Sequence, residues 1–166
     1  MSLPAELTLM FNGGAYYLCA LPIKEIEGIY KDNSVLENLQ LTGGMKKEFS
    51  LSRAPYIIKL KANFPSATQL TLKIFGRKIL CDTGKNSITL SNNTAPLSLN
   101  QNTIDLVIVS DQCSIEIYSD GGKFYMGTVD ENTFCDYNLP YMEIISSAEC
   151  EIQHLELHSL KSIWEK

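Results

Sequence analysis

The stretch Ile104–Thr128 decides the fold class, and it reads IDLVIVSDQCSIEIYSDGGKFYMGT. Ile104, Leu106 and Ile108 alternate with Asp and Val residues. This period of two is typical of a β-strand that buries one face and leaves the other in solvent. The first part of the stretch therefore predicts a strand.

Two more strands follow in the same stretch. Ile115 and Ile117 alternate with more polar neighbours, and a third run begins at Lys123. Between these runs stands Asp120-Gly121-Gly122, a strong hairpin signal, because a two-residue primed turn needs positive φ angles that Asp and Gly adopt at little cost. The stretch thus predicts an antiparallel meander of three strands.

The same pattern of short alternating runs separated by turn residues continues along most of the chain. Strands of this length and spacing, with Gly, Asn and Asp between them, indicate an all-β sandwich or barrel, and the predicted fold is a β-sandwich of two antiparallel sheets. The further predicted strands are Val35–Leu41, Glu48–Arg53, Tyr56–Phe64, Leu70–Ile74, Lys78–Cys81, Ser87–Leu90, Tyr141–Ser146 and Glu151–Ile163.

The N-terminal part differs from the rest. Residues 6–20 predict a hairpin that turns at Asn12-Gly13-Gly14. Pro22–Tyr30 is the one helical candidate, since proline suits a helix start and isoleucines recur at helical spacing, although Gly28 predicts a short helix. Lys31–Ser34 is polar and is interpreted as a linker.

Composition limits the classes of function. The 166 residues carry a net charge of -5 and only 14 Lys and Arg, which argues against a nucleic-acid surface. The sequence has no apolar run long enough for a membrane span. Five cysteines without a CxxC pair indicate structural thiols and favour a reducing compartment such as the cytoplasm.

Two groups of side chains are candidates for binding. His154 and His158 are four apart and could share a face toward a metal, but no third ligand is suggested, so solvated or hydrogen-bonded histidines are the favoured interpretation. Tyr16, Tyr17 and Tyr141 are candidates for contact with a sugar or another domain, since an aromatic ring offers an apolar face and a polar tip. Core packing is the favoured role for most of the aromatic residues, a set that includes Tyr118, Tyr125, Tyr137 and Trp164.

A family resemblance is carried first by the central meander. Its residues resemble the pattern L-x-I-x-x-D-x-x-S-I-E-x-[FY]-x-[ND]-G-G of the C-terminal β-sandwich of glycoside hydrolase family 32, the family of invertases, levanases, inulinases and sucrose-6-phosphate hydrolases. Gln112 stands where the family often has Arg. The matching residues are Leu106, Ile108, Asp111, Ser114, Ile115, Glu116, Tyr118, Asp120, Gly121 and Gly122.

Both ends of the chain resemble the same family. Leu3–Leu9 is similar to its L-P-R-E-L-T-L strand, with Ala5 in place of Arg, and Pro22–Ile26 is similar to its R-P-V-K-E-L linker. Leu155–Trp164 resembles the closing L-x-x-L-x-x-[IM]-W strand, in which the final Trp looks structural. The matches lie in family order and span almost the whole chain.

The resemblance implies a division at residue 30. Residues 1–30 would be the tail of a catalytic β-propeller plus a linker, and residues 31–166 a non-catalytic sandwich. The family's catalytic motifs are not found in this sequence: it has no Asn-Asp-Pro and no Arg-Asp-Pro. Glu149-Cys150 looks like the family's Glu-Cys motif, but it is rejected because the mechanism needs two carboxylates and no partner Asp motif precedes it. No catalytic, cofactor-binding or metal-binding residue is therefore assigned.

The expected function is that of a module supporting a catalytic propeller, with a role in oligomerisation or substrate placement. Expected partners are that propeller, fructan or sucrose, and a second copy in a homodimer, but neither nucleic acid nor membrane. A levanase-like parent would be secreted, in contrast to the cytoplasmic location favoured by the cysteines. A free-standing carbohydrate-binding module and an unrelated interaction domain remain as alternatives, because sandwich folds host many functions.

Overall fold

The computed structural model describes residues 3–52, 54–111, 113–129 and 141–161, and these form two six-stranded antiparallel sheets and a separate hairpin. The first sheet has the order β12-β11-β10-β5-β14-β3, and the second has the order β4-β13-β6-β7-β8-β9. The predicted all-β sandwich with an N-terminal hairpin is confirmed. The strands are β1 Ala5–Asn12, β2 Ala15–Pro22, β3 Tyr30–Leu41, β4 Lys46–Ser50, β5 Tyr56–Asn63, β6 Gln69–Ile74, β7 Arg77–Asp82, β8 Ser87–Leu90, β9 Asn93–Pro96, β10 Thr103–Ser110, β11 Ser114–Ser119, β12 Phe124–Val129, β13 Tyr141–Ser146 and β14 Cys150–Leu160.

The main core lies between the two sheets. Alternate residues of the central strands point inward, and among them Ile58 and Leu106 of the first sheet and Leu72 of the second are fully buried. Truncating a side chain of this kind to Ala typically costs about 2–5 kcal/mol of stability. The period-two pattern thus correctly identifies the inward face of each sheet.

A second, smaller core covers the outer face of the first sheet. Ile57, Val109, Tyr118 and Leu160 lie on that face and pack with Ile26 from the N-terminal segment. As a result, β11 is buried on both faces, although its alternation suggested one wet face. The N-terminal segment supplies the cover, because it folds back across the sheet.

The helical candidate is a 3-10 helix rather than an α-helix, and it spans Lys24–Ile29. We call it the linker turn. Its only buried residue is Ile26, and it ends where β3 begins at Tyr30. The polar run Lys31–Ser34, interpreted as a linker, lies inside β3, because an edge strand of a sheet tolerates polar residues on its open side.

Two other local predictions need correction. The connection at Asp120–Gly122 is a 3-10 turn rather than a two-residue primed turn, since Ser119 pairs with Phe124, although the expected positive φ angles are present. Strand β4 begins two residues earlier than predicted, at Lys46, and β9 was not predicted at all. The boundary at residue 30 between two units remains a prediction.

Candidate functional site: the apolar hairpin face

The β1–β2 hairpin presents a row of large apolar side chains to solvent. Cross-strand partners in an antiparallel pair share a face, and Leu9 pairs with Leu18 while Phe11 pairs with Tyr16. Each of these side chains is more than 60% exposed, and the Phe11 and Tyr16 rings touch with centroids 4.9 Å apart. We call this surface the apolar hairpin face, and it consists of Leu7, Leu9, Phe11, Tyr16 and Leu18.

The opposite face of the hairpin is seated on the sandwich. Cys19 is only 1% exposed, and the Lys123 ammonium lies 5.1 Å from the centre of the Tyr17 ring, a cation–π contact. Lys123 is itself held by Asp120 at 3.0 Å. These contacts fix the hairpin against the 3-10 turn between β11 and β12, so its apolar face is held in one orientation.

The three tyrosines proposed for sugar or domain contact do not form one group. Tyr16 and Tyr17 are neighbours on β2 and therefore point to opposite faces of the hairpin. Tyr141 is half-buried on β13 of the second sheet, where it pairs with Ser50. Only Tyr16 belongs to the apolar hairpin face, and a binding role for the three residues stays a prediction.

The Glu149-Cys150 pair does not have the surroundings of a catalytic carboxylate. Glu149 is exposed, and Cys150 is buried at the start of β14, where burial raises the pKa of its thiol. The remaining described cysteines are free: Cys19 and Cys81 are buried, and Cys113 is half-buried in the turn before β11. Cys135, Tyr137 and Trp164 lie outside the described residues.

The buried carboxylates of the described chain are engaged with structural partners. Glu116 accepts a hydrogen bond from the Tyr118 hydroxyl at 2.8 Å. Glu143 lies 2.9 Å from the Lys73 ammonium and 3.3 Å from that of Lys46, and the hydrogen bond from Lys73 lowers the pKa of Glu143. Glu143 was not singled out in the sequence, and the two lysines neutralise its charge next to packed strands. Glu116, which belongs to the motif of the resemblance, is satisfied by a hydrogen bond from a neutral hydroxyl.

His154 and His158 do share a face of β14, but Glu156 stands between them. Its carboxylate lies 2.7 Å from His154 Nε2, 2.8 Å from His158 Nε2 and 3.2 Å from Lys59 Nζ. Burial alone would raise the pKa of Glu156, but the bonds from His158, His154 and Lys59 together lower it to about 2. We call His154, Glu156, His158 and Lys59 the histidine–glutamate cluster.

The histidine–glutamate cluster is a hydrogen-bonded network, in agreement with the favoured interpretation of the two histidines. The hydrogen bond to Glu156 raises the pKa of His154 against a smaller opposing effect of burial. In the described part of the chain, no three His, Cys, Asp or Glu side chains are arranged to hold a metal ion. The sequence contained a signal for this network, namely the His-x-Glu-x-His alternation on one strand.

Comparison with known proteins gives the family. The profile described as "Glycosyl hydrolases family 32 C terminal" matches residues 32–129, well over half of the chain. The chain belongs to this family. The match covers β3 to β12 and therefore most of both sheets of this glycoside hydrolase family 32 C-terminal domain. A search of curated proteins gave no match.

Solved structures of the family's enzymes share the fold of this domain. Exo-inulinase from Aspergillus awamori superposes with a TM-score of 0.78 at 14% identity, covering 98% of this chain and 36% of that one. Fructofuranosidase from Schwanniomyces occidentalis superposes with a TM-score of 0.71 at 18% identity, covering 97% of this chain and 40% of that one. Fructan 1-exohydrolase IIa from Cichorium intybus superposes with a TM-score of 0.70 at 12% identity, covering 94% of this chain and 40% of that one. The chain thus spans at most two-fifths of the length of these enzymes.

Within the described residues, no helix is long and apolar enough to cross a membrane.

Proposed function

We propose that this chain is the non-catalytic C-terminal sandwich of a β-fructofuranosidase-type glycoside hydrolase, similar to a levanase or invertase, and that it supports the catalytic propeller. The observation that carries the proposal is the apolar hairpin face. One side of the hairpin is seated on the sandwich, and the other side exposes five large apolar residues. A surface of that kind marks a site that a partner covers.

The energetics favour a covered face. Burying one large apolar side chain contributes about 1.5–3 kcal/mol, so five such residues supply a substantial gross gain. Part of that gain is lost when two separate partners give up translational and rotational freedom on binding, a cost that is reduced when both belong to one chain. In addition, β1 is an edge strand of its two-stranded sheet, so its outer backbone groups are available to a further strand.

The chemistry also favours a supporting role. Retaining glycosidases of the kind expected here need two carboxylates about 5 Å apart, one of them as a nucleophile. In the described part of this chain, Glu116 and Glu143 are occupied by Tyr118 and by two lysines. Under the proposal, both catalytic carboxylates come from the propeller, and this domain contributes stability and orientation.

The experiment begins with the coding sequence that precedes residue 1 in the natural gene. Under the proposal it encodes a propeller with an Asn-Asp-Pro motif. The propeller and this chain are then produced separately and mixed, and fructose release from sucrose and levan is measured with the melting temperature. A melting temperature of the propeller that rises on mixing supports the proposal. The proposal is contradicted if the propeller alone is stable and fully active and its melting temperature does not change when this chain is added.

A free-standing carbohydrate-binding module is the second candidate, and the exposed Phe11–Tyr16 pair favours it, because adjacent aromatic rings can stack on sugars. Calorimetric titration of the chain with levan, inulin and sucrose separates the two candidates. Sugar binding that disappears in Phe11→Ala and Tyr16→Ala but persists in Tyr125→Ala would support the carbohydrate-binding module. Tyr125 is an exposed aromatic residue on β12 and serves as the control.

The same face could instead pair with a second copy of the chain. A twofold contact buries like against like, and the open edge of β1 suits such a pairing. Light scattering decides the case for the isolated chain: a dimer that becomes a monomer in Leu9→Asp supports homodimerisation through the hairpin, and a monomer at all concentrations contradicts it.

A further inference from the structure

A cleft opens between β3 and β4, the strands that stand at the ends of the first and second sheets. Its volume is about 340 Å³, at the lower end of the range of about 300–1,000 Å³ that is typical of small-molecule sites. Residues 32–34 of β3 and residues 49–51 at the end of β4 form its walls, and the buried Tyr56 and Leu157 form its floor. The cleft is therefore large enough for a small molecule and shares no residue with the apolar hairpin face.

The Asp32 carboxylate is a fixed hydrogen-bond acceptor on one wall of the cleft. Its Oδ2 accepts a hydrogen bond from the Ser159 hydroxyl at 2.9 Å, and the Asp32 amide donates to Ser159 Oγ at 3.1 Å. Ser159 is fully buried, so these two contacts anchor the carboxylate. An ionised carboxylate has about four acceptor positions, and the Ser159 hydroxyl takes one of them. Asp32 can thus accept further hydrogen bonds from a ligand and is already held in place.

The rest of the lining combines hydroxyl groups with apolar surface. Ser34 and Ser50 lie on opposite walls, and each hydroxyl can donate one hydrogen bond and accept two. Phe49 is half-buried and lines the same wall as Ser50, while the Tyr56 hydroxyl accepts a hydrogen bond from the Ser52 amide at 2.9 Å, which fixes the ring at the floor. A sugar ring carries hydroxyl groups at its rim and C–H groups on its faces, and it matches such a surface.

The charge of the lining narrows the class of ligand. Among the described residues around the cleft, Asp32 is the only acidic or basic one. Hydrogen bonds from neutral hydroxyl groups to a carboxylate are charge-assisted and about twice as strong as those between neutral groups. An anionic ligand, in contrast, would be repelled by the carboxylate at short range. The cleft therefore favours a neutral sugar over a phosphorylated one.

We propose that the cleft between β3 and β4 binds one hexose unit of a neutral sugar, with Asp32 as the hydrogen-bond acceptor and Phe49 as the apolar surface for the sugar ring. Ser34 and Ser50 complete the polar contacts. The site is separate from the exposed Phe11–Tyr16 pair of the hairpin. It also does not depend on the proposed support of a propeller, because every residue that forms it belongs to the sandwich.

Titration of the ¹⁵N-labelled 166-residue chain with D-fructose and with D-glucose, followed by NMR, tests the site. We expect a dissociation constant on the order of 1–10 mM for at least one of them, because a hexose has few atoms and the cleft is open to solvent. The amide signals that shift should be those of residues 32–34 and 49–51. The proposal is overturned if neither sugar shifts these signals at about ten times the upper end of that range. It is also overturned if the shifts are confined to the apolar hairpin face.

Discrimination by charge separates a binding role of Asp32 from a structural one. The 6-phosphate of the sugar that binds should bind the unmodified chain about tenfold more weakly than the sugar itself. Asp32→Asn should weaken binding of the neutral sugar by about tenfold and should largely remove the difference between the two ligands. Damage to the fold alone would weaken both ligands by the same factor. Equal affinities of the sugar and its phosphate for the unmodified chain would overturn the proposal.

Two further variants complete the test. Phe49→Leu keeps an apolar side chain against the main core but removes the aromatic ring, so it should weaken sugar binding by about threefold or more. Asp105→Asn is the matched control, since Asp105 is an exposed aspartate on β10 that does not line the cleft, and it should bind the sugar as the unmodified chain does. A loss of binding in Asp105→Asn as large as in Asp32→Asn would overturn the assignment of the site.

Discussion

The backbone carbonyl of Ala20 lies so close to Gly122 that a Cβ atom on Gly122 would overlap it. Gly122 also has φ +87°, a conformation that other residues adopt with strain. This contact joins the second hairpin strand to the 3-10 turn of the first sheet. The contact also explains why the family motif of the central meander ends in Gly-Gly: a side chain at its last position would overlap Ala20.

Gly122→Ala should lift the second hairpin strand off the sandwich. Backbone strain at this φ costs on the order of 1–3 kcal/mol, and the overlap with Ala20 adds displacement. The measurement is alkylation of Cys19, now 1% exposed, followed by mass spectrometry of its peptide. The matched control is Gly14→Ala, which has φ +81° but nothing within 4 Å. If both variants expose Cys19 equally, the contact with Ala20 does not hold the hairpin.

The apolar hairpin face should contribute almost nothing to folding of the isolated chain. Leu9 is 68% exposed and Leu18 is 64% exposed, so Leu9→Asp and Leu18→Asp should change the free energy of unfolding by less than about 0.5 kcal/mol. By contrast, Leu60→Ala in the main core should cost about 2–5 kcal/mol. Urea unfolding measures all three. A loss in Leu9→Asp as large as in Leu60→Ala would mean that the face is buried in the isolated chain.

The stability that the histidine–glutamate cluster supplies should pass through a maximum with pH. The folded state lowers the pKa of Glu156 from 4.5 to about 2, so its contribution is complete above about pH 4.5 and is lost as the pH falls toward 2. The folded state raises the pKa of His154 above 6.5, so its contribution is complete below about pH 6.5 and is lost as the pH rises through the raised value.

Glu156→Gln tests this window, because the amide keeps the shape of the carboxylate and removes its charge. The difference in unfolding free energy between the unmodified chain and Glu156→Gln should be largest between about pH 4.5 and 6.5 and should shrink on both sides. Glu151→Gln, on the same strand and bonded to Gln40, is the control. A difference that stays constant from pH 3 to pH 9 would show that the charge of Glu156 is unimportant.

The isolated chain should release no fructose from sucrose or levan. The reason is chemical: Glu149 is exposed, and the buried Glu116 and Glu143 are held by structural partners rather than paired across a cleft. A reducing-sugar assay on the purified chain makes the measurement, with a mock purification as the control. Sugar release that co-purifies with the chain and exceeds the mock preparation would refute a non-catalytic role.

Much of the fold was predictable because alternation is a direct consequence of strand geometry. Ile58, Leu60 and Leu106 lie on the inner faces as their spacing indicated. Strand β9, in contrast, has the sequence NTAP, whose Asn and Pro indicate a turn, and only its pairing with β8 makes it a strand. Tertiary pairing overrode local propensity there and likewise in the polar start of β3.

The candidate site was predictable only in part. The alternation of Leu7, Leu9 and Phe11 gave the hairpin, but which face meets solvent depends on the Lys123–Tyr17 contact and on Gly122, both remote in sequence. The sequence grouped Tyr17 with Tyr16 as a candidate for contact with a sugar or another domain, yet the Tyr17 ring lies against Lys123 of the sandwich. The role of Glu156 between the two histidines required strand β14 to be placed beside Lys59 of β5.

The central claim is that the apolar hairpin face binds the catalytic propeller, and calorimetric titration of the separated propeller with this chain tests it most directly. Leu9→Asp should weaken binding by at least tenfold, since it places a charge in an apolar interface. Met45→Asp, an equally non-conservative change at an exposed apolar residue in the turn before β4, should leave the affinity unchanged. Equal affinities of the two variants, or no binding by the unmodified chain, would contradict the account.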